Sequence, residues 1–195
     1  MESKKLNILI VGVGGQGTLL ASKFIGMAAR LAGRDVKVSE VHGTSQRGGS
    51  VVTCVKMGDE VFSPVIDLGE ADVMLSFEQV EAVRWLPYLK KGGTVITSEQ
   101  KIEPMSVVLG DAVYPDNVIE ALEKSDAKVI HFDALKAAEA QGSVKTVNII
   151  LCGVLSRMID DITPDIWSLA LRMTVAPKFL EMNEKAFAAG ASIDF

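Results

Sequence analysis

The chain has 195 residues, 48% of them apolar, and a formal net charge of −5. That length suits one domain, or one domain with a helical extension, and the charge offers no strongly basic face of the kind that nucleic acids require. The two cysteines and two histidines show no metal-ligand spacing and fall short of the four thiolates a typical iron–sulfur cluster needs, so any redox cofactor is expected to be non-metallic or to reside on another chain.

Met1 to Lys5 leads straight into a first strand without a secretory pattern, and the apolar stretches are too short to span a bilayer, so a cytoplasmic protein is expected. Leu6 to Val11 is an almost unbroken apolar run, as in a strand covered on both faces. Gly12, Gly14 and Gly17 then complete G-x-G-x-x-G, with Gly15 and Gln16 inside it. Gly12 permits a tight turn, Gly14 a close backbone approach, and Gly17 close packing of the helix on the strand, whose free N–H groups attract an anion. No Gly-Lys-Ser/Thr follows, which excludes a Walker loop. The same loop could also serve only to turn the chain and pack a helix.

From Gln16 to about Ala32, Leu20, Phe24, Met27, Ala28 and Leu31 recur at helical spacing, and Gly33 supplies a stop. Asp35 to Val41 reads as a second strand. Glu40, near its end, lies about 20 residues beyond Gly17, close to where a Rossmann acid binds a ribose hydroxyl; leading into the next loop, or pairing with Arg47, is the competing explanation.

His42 to Gly49 is a second informative stretch, with glycines at both ends and polar side chains between them. It could present Thr44, Ser45, Gln46 and Arg47 to a ligand above the strand ends. Arg47 suits a phosphate or carboxylate because its planar fork donates in pairs; a solvated turn is the plain alternative. Ser50 to Met57 reads as a strand in which Cys54 is an inert buried thiol. Met57 to Glu60 looks like a hairpin turn into another short strand ended by Pro64.

Val73 to Phe77 reads as a buried strand and Glu78 to Leu89 as a helix with Val80, Val83 and Leu86 or Trp85 inward, disturbed by Pro87. Gly92-Gly93 breaks the pattern before a strand at Thr94 to Thr97. Glu99 to Tyr114 is irregular; then come a helix at Asp116 to Lys124, a strand at Ala127 to Phe132 and a helix at Ala134 to Ala140. Val144 to Met158, which contains Cys152, is apolar around most of its circumference and should be deeply buried. Thr163-Pro164-Asp165 starts a helix over Ile166 to Met173. Pro177 opens a last one, with Phe179, Met182 and Ala186 on one face. This rhythm predicts an α/β fold: a Rossmann-like, mainly parallel sheet with flanking helices and a helical C-terminal extension.

Gly12-Val-Gly-Gly-Gln-Gly17, then Glu40-Val-His-Gly43, then Gln46-Arg-Gly-Gly-Ser-Val51, with Ser63-Pro64 and Ala71-Asp72, resemble the γ-type domain of the 2-oxoacid:ferredoxin oxidoreductases, in particular their indolepyruvate branch. Family members often carry Met-Ala where this chain has Thr44-Ser45. The resemblance implies one domain over 1–195, with helices from about 143–190 as a cap or partner surface. It also implies oxidative decarboxylation of a 2-oxoacid, with coenzyme A, to an acyl-CoA and CO2, electrons passing to ferredoxin. Thiamine diphosphate and iron–sulfur clusters would belong to a large partner subunit. This chain would complete the assembly and shape the coenzyme A or substrate approach through Gly12, Gly14, Gly15, Gln16, Gly17, Glu40, His42, Thr44, Ser45, Gln46, Arg47, Gly48 and Gly49, with no catalytic residue of its own. Two other readings stay open: an NAD(P)-dependent oxidoreductase, and a non-catalytic interaction subunit on a Rossmann-like scaffold.

Overall fold

A computed structural model describes residues 5–42 and 49–194. Six strands form one sheet: β1 (Leu6–Val13), β2 (Asp35–His42), β3 (Ser50–Gly58), β4 (Ala71–Ser76), β5 (Leu89–Ser98) and β6 (Lys128–Phe132), in the spatial order β2-β3-β1-β4-β5-β6. β1, β4, β5 and β6 pair in parallel, whereas β3 runs antiparallel to both β1 and β2. All strands but β3 therefore point the same way, which is the mainly parallel sheet expected, with one reversed strand inserted beside β1.

Alternation along β1 explains its unbroken apolar run. Ile8 and Ile10 face one layer with Val55, Val73, Leu75 and Ile96, while Leu9 and Val11 face the other with Val52, Met74 and Val95. A strand with both faces covered cannot spare alternate positions for polar residues. The first layer holds α1 (Thr18–Leu31), α5 (Ala134–Ala140), α6 (Val147–Ser156), α7 (Pro164–Thr174) and α8 (Leu180–Ala191); the second holds α2 (Gln79–Trp85) and α4 (Val118–Glu123), and a short α3 (Met105–Val108) lies between β5 and α4.

Every residue of α6 from Val147 to Leu155 is buried, as its all-round apolar sequence requires. Burial also raises the thiol pKa of Cys152 and, less completely buried, of Cys54. Phe24 of α1 meets Trp167 of α7 edge-on at 5.3 Å and Phe187 of α8 at 5.5 Å, an offset geometry that ring quadrupoles favour. α7 starts where the sequence placed it, with the Thr163 hydroxyl accepting from the Ile166 N–H at 3.4 Å.

Four expectations need correction. The chain after β3 forms no second strand before Pro64: Val61 to Ile66 is irregular, and the Val61 N–H is taken by the Asp35 carboxylate at 2.9 Å. Gly92-Gly93 does not precede β5 but lies inside it, at a register shift between Ala71 and Val73 of β4; Gly92 adopts φ +71 there, as glycine allows at a bulge. The inward face of α2 is not Val80 and Val83 but Gln79, Glu81 and Ala82, with Glu78 capping its start. The helix expected over Glu78 to Leu89 ends at Trp85, and Leu89 already opens β5. Among the described residues no helix is long and apolar enough to cross a membrane.

Candidate functional site

The chain from β1 turns into α1 on one face of the sheet, whereas β4 turns into α2 on the other. Their diverging connections open a crevice beyond the carboxyl ends of the strands, the place where open α/β sheets bind ligands. The glycine loop lies at this crevice. Gly15 has φ +102 and Gly17 φ +86, conformations that side chains resist. A Cβ on Gly12 would come within 3.0 Å of the Phe77 Cβ, so the loop's first glycine serves close approach as well as turning.

Gln16 locks the loop across the switch point. Its Oε1 accepts from the Val13 N–H at 2.7 Å, and its Nε2 donates to the Phe77 carbonyl at 2.9 Å and to Gln100 Oε1 at 3.1 Å. The Phe77 N–H donates to the Val11 carbonyl at 2.9 Å. Gln16→Ala would leave one donor and one acceptor of the backbone in a half-buried place. A loss of about 1–3 kcal/mol in denaturant unfolding is expected, and Gln16→Glu should not restore it, because its carboxylate would face the Phe77 carbonyl and Gln100 Oε1 with no donor.

A cavity of about 480 Å³ opens here, lined by Gly15, Gln16, Gly17, Gln100, Lys145 and Asn148, with apolar walls from Leu20, Leu135, Val144 and Val147. Asn148 donates to the Gly17 carbonyl at 3.2 Å. The amides are committed to shaping the backbone, while the first turn of α1 and the exposed Lys145 ammonium give the cavity a positive potential. Such a lining suits holding a neutral or anionic group rather than proton transfer. Among the described residues no group of three His, Cys, Asp or Glu is placed to hold a metal ion.

The glycine loop also touches the second glycine-rich stretch: the Gly14 N–H donates to the Gly49 carbonyl at 2.9 Å. Thus Gly12, Gly14, Gly15, Gln16, Gly17 and Gly49 come together. Gly43, Thr44, Ser45, Gln46, Arg47 and Gly48 lie outside the described residues, as does the side chain of His42, whose backbone ends β2. Glu40 is separated from the group. Its strand stands two places from β1, with β3 between them, whereas a dinucleotide-binding Rossmann sheet sets its second strand directly beside the first. Its carboxylate accepts from the Ser22 hydroxyl at 2.9 Å, so it braces β2 against α1.

Sequence reasoning missed a polar cluster at the start of α2. Glu78 and Glu81 are 1% and 4% exposed. Glu78 Oε2 accepts from the Glu81 N–H at 3.0 Å and Oε1 from the Ile102 N–H at 3.3 Å, and the Tyr114 hydroxyl also donates to Oε1. Burial, then donation to Glu78, pushes the Tyr114 phenol far above its ordinary pKa, so it remains a donor. Glu81 takes Ser50 and Arg84. The available signal was the run Glu78-Gln-Val-Glu81 directly after a buried strand, where an acid caps the helix and meets its dipole.

Comparison with known proteins bears on the family and the fold. The model of the pyruvate ferredoxin/flavodoxin oxidoreductase family matches residues 7–193. A Pyrococcus horikoshii protein, indolepyruvate oxidoreductase subunit IorB, is 44% identical over 193 residues, covering 96% of this chain and 95% of the relative. A keto/oxoacid ferredoxin oxidoreductase γ subunit from Geobacter sulfurreducens has a similar fold, with a TM-score of 0.71 at 23% identity and 95% of both chains covered. A 2-oxoglutarate:ferredoxin oxidoreductase from Magnetococcus marinus, whose structure contains 2-oxoglutarate, coenzyme A and succinyl-CoA, matches with a TM-score of 0.74 at 20% identity, over 98% of this chain but 31% of that one.

Proposed function

Because the chain belongs to the pyruvate ferredoxin/flavodoxin oxidoreductase family, we propose that it is the small subunit of a 2-oxoacid:ferredoxin oxidoreductase acting on an aryl pyruvate such as indolepyruvate. The observation that carries this reading is the end-to-end likeness to an indolepyruvate oxidoreductase subunit at 44% identity. The complex converts the 2-oxoacid and coenzyme A to an acyl-CoA and CO2 and passes the electrons to ferredoxin. Thiamine diphosphate and the iron–sulfur clusters are held by a large partner subunit in the cytoplasm. The small subunit contributes the crevice. Its loop fixes backbone donors, and Lys145 and Arg47 attract the phosphates of coenzyme A or the 2-oxoacid carboxylate. The outer faces of the helices in 143–190 are the proposed partner surface. The position of Glu40, two strands out, disfavours an NAD(P) site.

Arg47 tests the loop's part in this reading. In the assembled complex, Arg47→Ala is expected to raise KM for coenzyme A or the 2-oxoacid roughly ten- to a hundredfold, the worth of a buried charge-assisted contact. Arg47→Lys keeps the charge without the fork and should restore only part. Failure of the alanine variant to assemble would make Arg47 an interface residue, and unchanged kinetics and assembly would make it a solvated turn.

A further inference from the structure

The side-chain amides of Gln16, Gln100 and Asn148 line the cavity beside the glycine loop, and one of their atoms is not used in shaping it. Gln16 is oriented without ambiguity, because its Oε1 faces an obligate donor, the Val13 N–H, and its Nε2 an obligate acceptor, the Phe77 carbonyl. The same Nε2 reaches Gln100 at 3.1 Å, so the atom that Gln100 turns toward it must be the oxygen. That leaves Gln100 Nε2 as a donor turned away from Gln16. Asn148 commits both of its amide atoms to backbone, Nδ2 to the Gly17 carbonyl and Oδ1 to the Ile149 N–H. Gln100 Nε2 is thus the one side-chain amide atom of the lining without a partner among the described residues. The rest of Gln100 is held in place. Its N–H donates to the Ser98 hydroxyl at 3.2 Å, and its carbonyl accepts from the Gln79 N–H at 3.3 Å. On either side, the Glu99 carbonyl accepts from Gln79 Nε2 at 3.0 Å, and the Ile102 N–H donates to Glu78 at 3.3 Å. Ordering a long amide side chain costs entropy. Here folding has already met that cost, so a ligand would find the donor in position.

The geometry points to Gln100 as a ligand-binding residue: its Nε2, aimed by the relay from Val13 through Gln16, donates to an anionic oxygen held in the cavity together with the Lys145 ammonium. This rests on the reading of the crevice as the place where a phosphate of coenzyme A or the carboxylate of the 2-oxoacid enters. Both present the same charged acceptor. Lys145 supplies charge on an exposed, flexible stem, whereas Gln100 supplies direction.

The test uses the reconstituted complex, with KM for coenzyme A and for indolepyruvate, the Kd of coenzyme A by calorimetry, and the Tm of the small subunit measured for Gln100→Glu, Gln100→Ala and Lys145→Ala. Glutamate is the decisive change, since it keeps an oxygen to accept from Gln16 and replaces the other atom, a donor, by a second charged oxygen. Gln100→Glu is expected to hold Tm near that of the parent and to raise one KM about a hundredfold, the upper end for losing a hydrogen bond to a charged group, because repulsion is added. Gln100→Ala, which removes the donor without adding charge, should raise the same KM about tenfold, and Lys145→Ala should raise it as well. A rise for coenzyme A, matched in its Kd, assigns the phosphates, and a rise for indolepyruvate assigns the carboxylate. Equal rises for the two Gln100 variants, with equal falls in Tm, would overturn the ligand-binding role and leave Gln100 a brace for Gln16. If Lys145→Ala raises a KM and Gln100→Glu raises none, that role falls and the reading of the crevice stands. If Gln100→Glu raises a KM and Lys145→Ala does not, the role of Gln100 stands and the assignment to Lys145 falls. If neither moves KM, both fall.

Discussion

Gly190→Ala is expected to destabilise the chain by about 3 kcal/mol and to lower Tm by roughly 6–12 °C, the upper range for overpacking in a domain of this size. In the interior of an ordinary helix the same change would stabilise by roughly 0.5–1 kcal/mol. The sign reverses here because α8 crosses α6 at a pair of glycines. A Cβ on Gly190 would lie 2.0 Å from the Ile150 carbonyl oxygen, and one on Gly153 would lie 2.3 Å from the Phe187 carbonyl oxygen. Both obstacles are backbone, so no rotamer change relieves them and the helices must separate. Separation would loosen α6, whose buried residues join the sheet core to α8. Gly26→Ala is the control: it sits within α1, and its Cβ would meet Val38 Cγ2 at 3.6 Å, an ordinary contact. Thermal unfolding followed by circular dichroism should show Gly26→Ala at or above the parent and Gly190→Ala far below it. Equal stability of the two would show that the α6–α8 crossing is looser than described.

Gly17→Val should abolish the activity of the complex, with a loss in kcat/KM of about a hundredfold or more, the scale on which a misplacement of about 1 Å acts. Two independent obstacles meet at this residue. Its φ of +86 is strained for any L side chain and most of all for a β-branched one. Its Cβ would also lie 2.7 Å from Asn148 Nδ2, an atom held by its bond to the Gly17 carbonyl. The first turn of α1 would have to shift, and with it the backbone donors facing the cavity. Gly15→Ala separates the two effects, because its Cβ would meet nothing within 4 Å and only the φ of +102 opposes it. It should cost about 1–3 kcal/mol of strain and leave most turnover. Full turnover with Gly17→Val would place the crevice off the reaction path.

Local pattern explains which elements were legible. β1 and its glycine loop could be read because both faces of one strand are covered and because the loop's geometry is written in consecutive residues. The start of α7 was equally local: Thr163 and Pro164 carry their own instructions. The reversal of β3 was not legible, since an apolar run reads alike in a parallel or an antiparallel ladder; only the sheet order shows that Glu40 stands away from β1. Gly92 and Gly93 were ambiguous for a related reason, because a glycine that ends a strand and one that bulges it look the same in sequence. The inward face of α2 was misread because its determinants are remote. Glu78 accepts from Tyr114, 36 residues on, and Glu81 from Ser50, 31 residues back. Apolar periodicity, which favoured Val80 and Val83, cannot register partners at that distance.

Reconstitution tests the central claim most directly. The chain is assayed alone and after mixing with the proposed thiamine- and cluster-containing large subunit, following reduction of ferredoxin with indolepyruvate and coenzyme A. The account predicts no oxidation by the small subunit alone and coenzyme A-dependent ferredoxin reduction once both subunits are present. Robust indolepyruvate oxidation by the isolated chain, or full activity of the large subunit without it, would contradict the account.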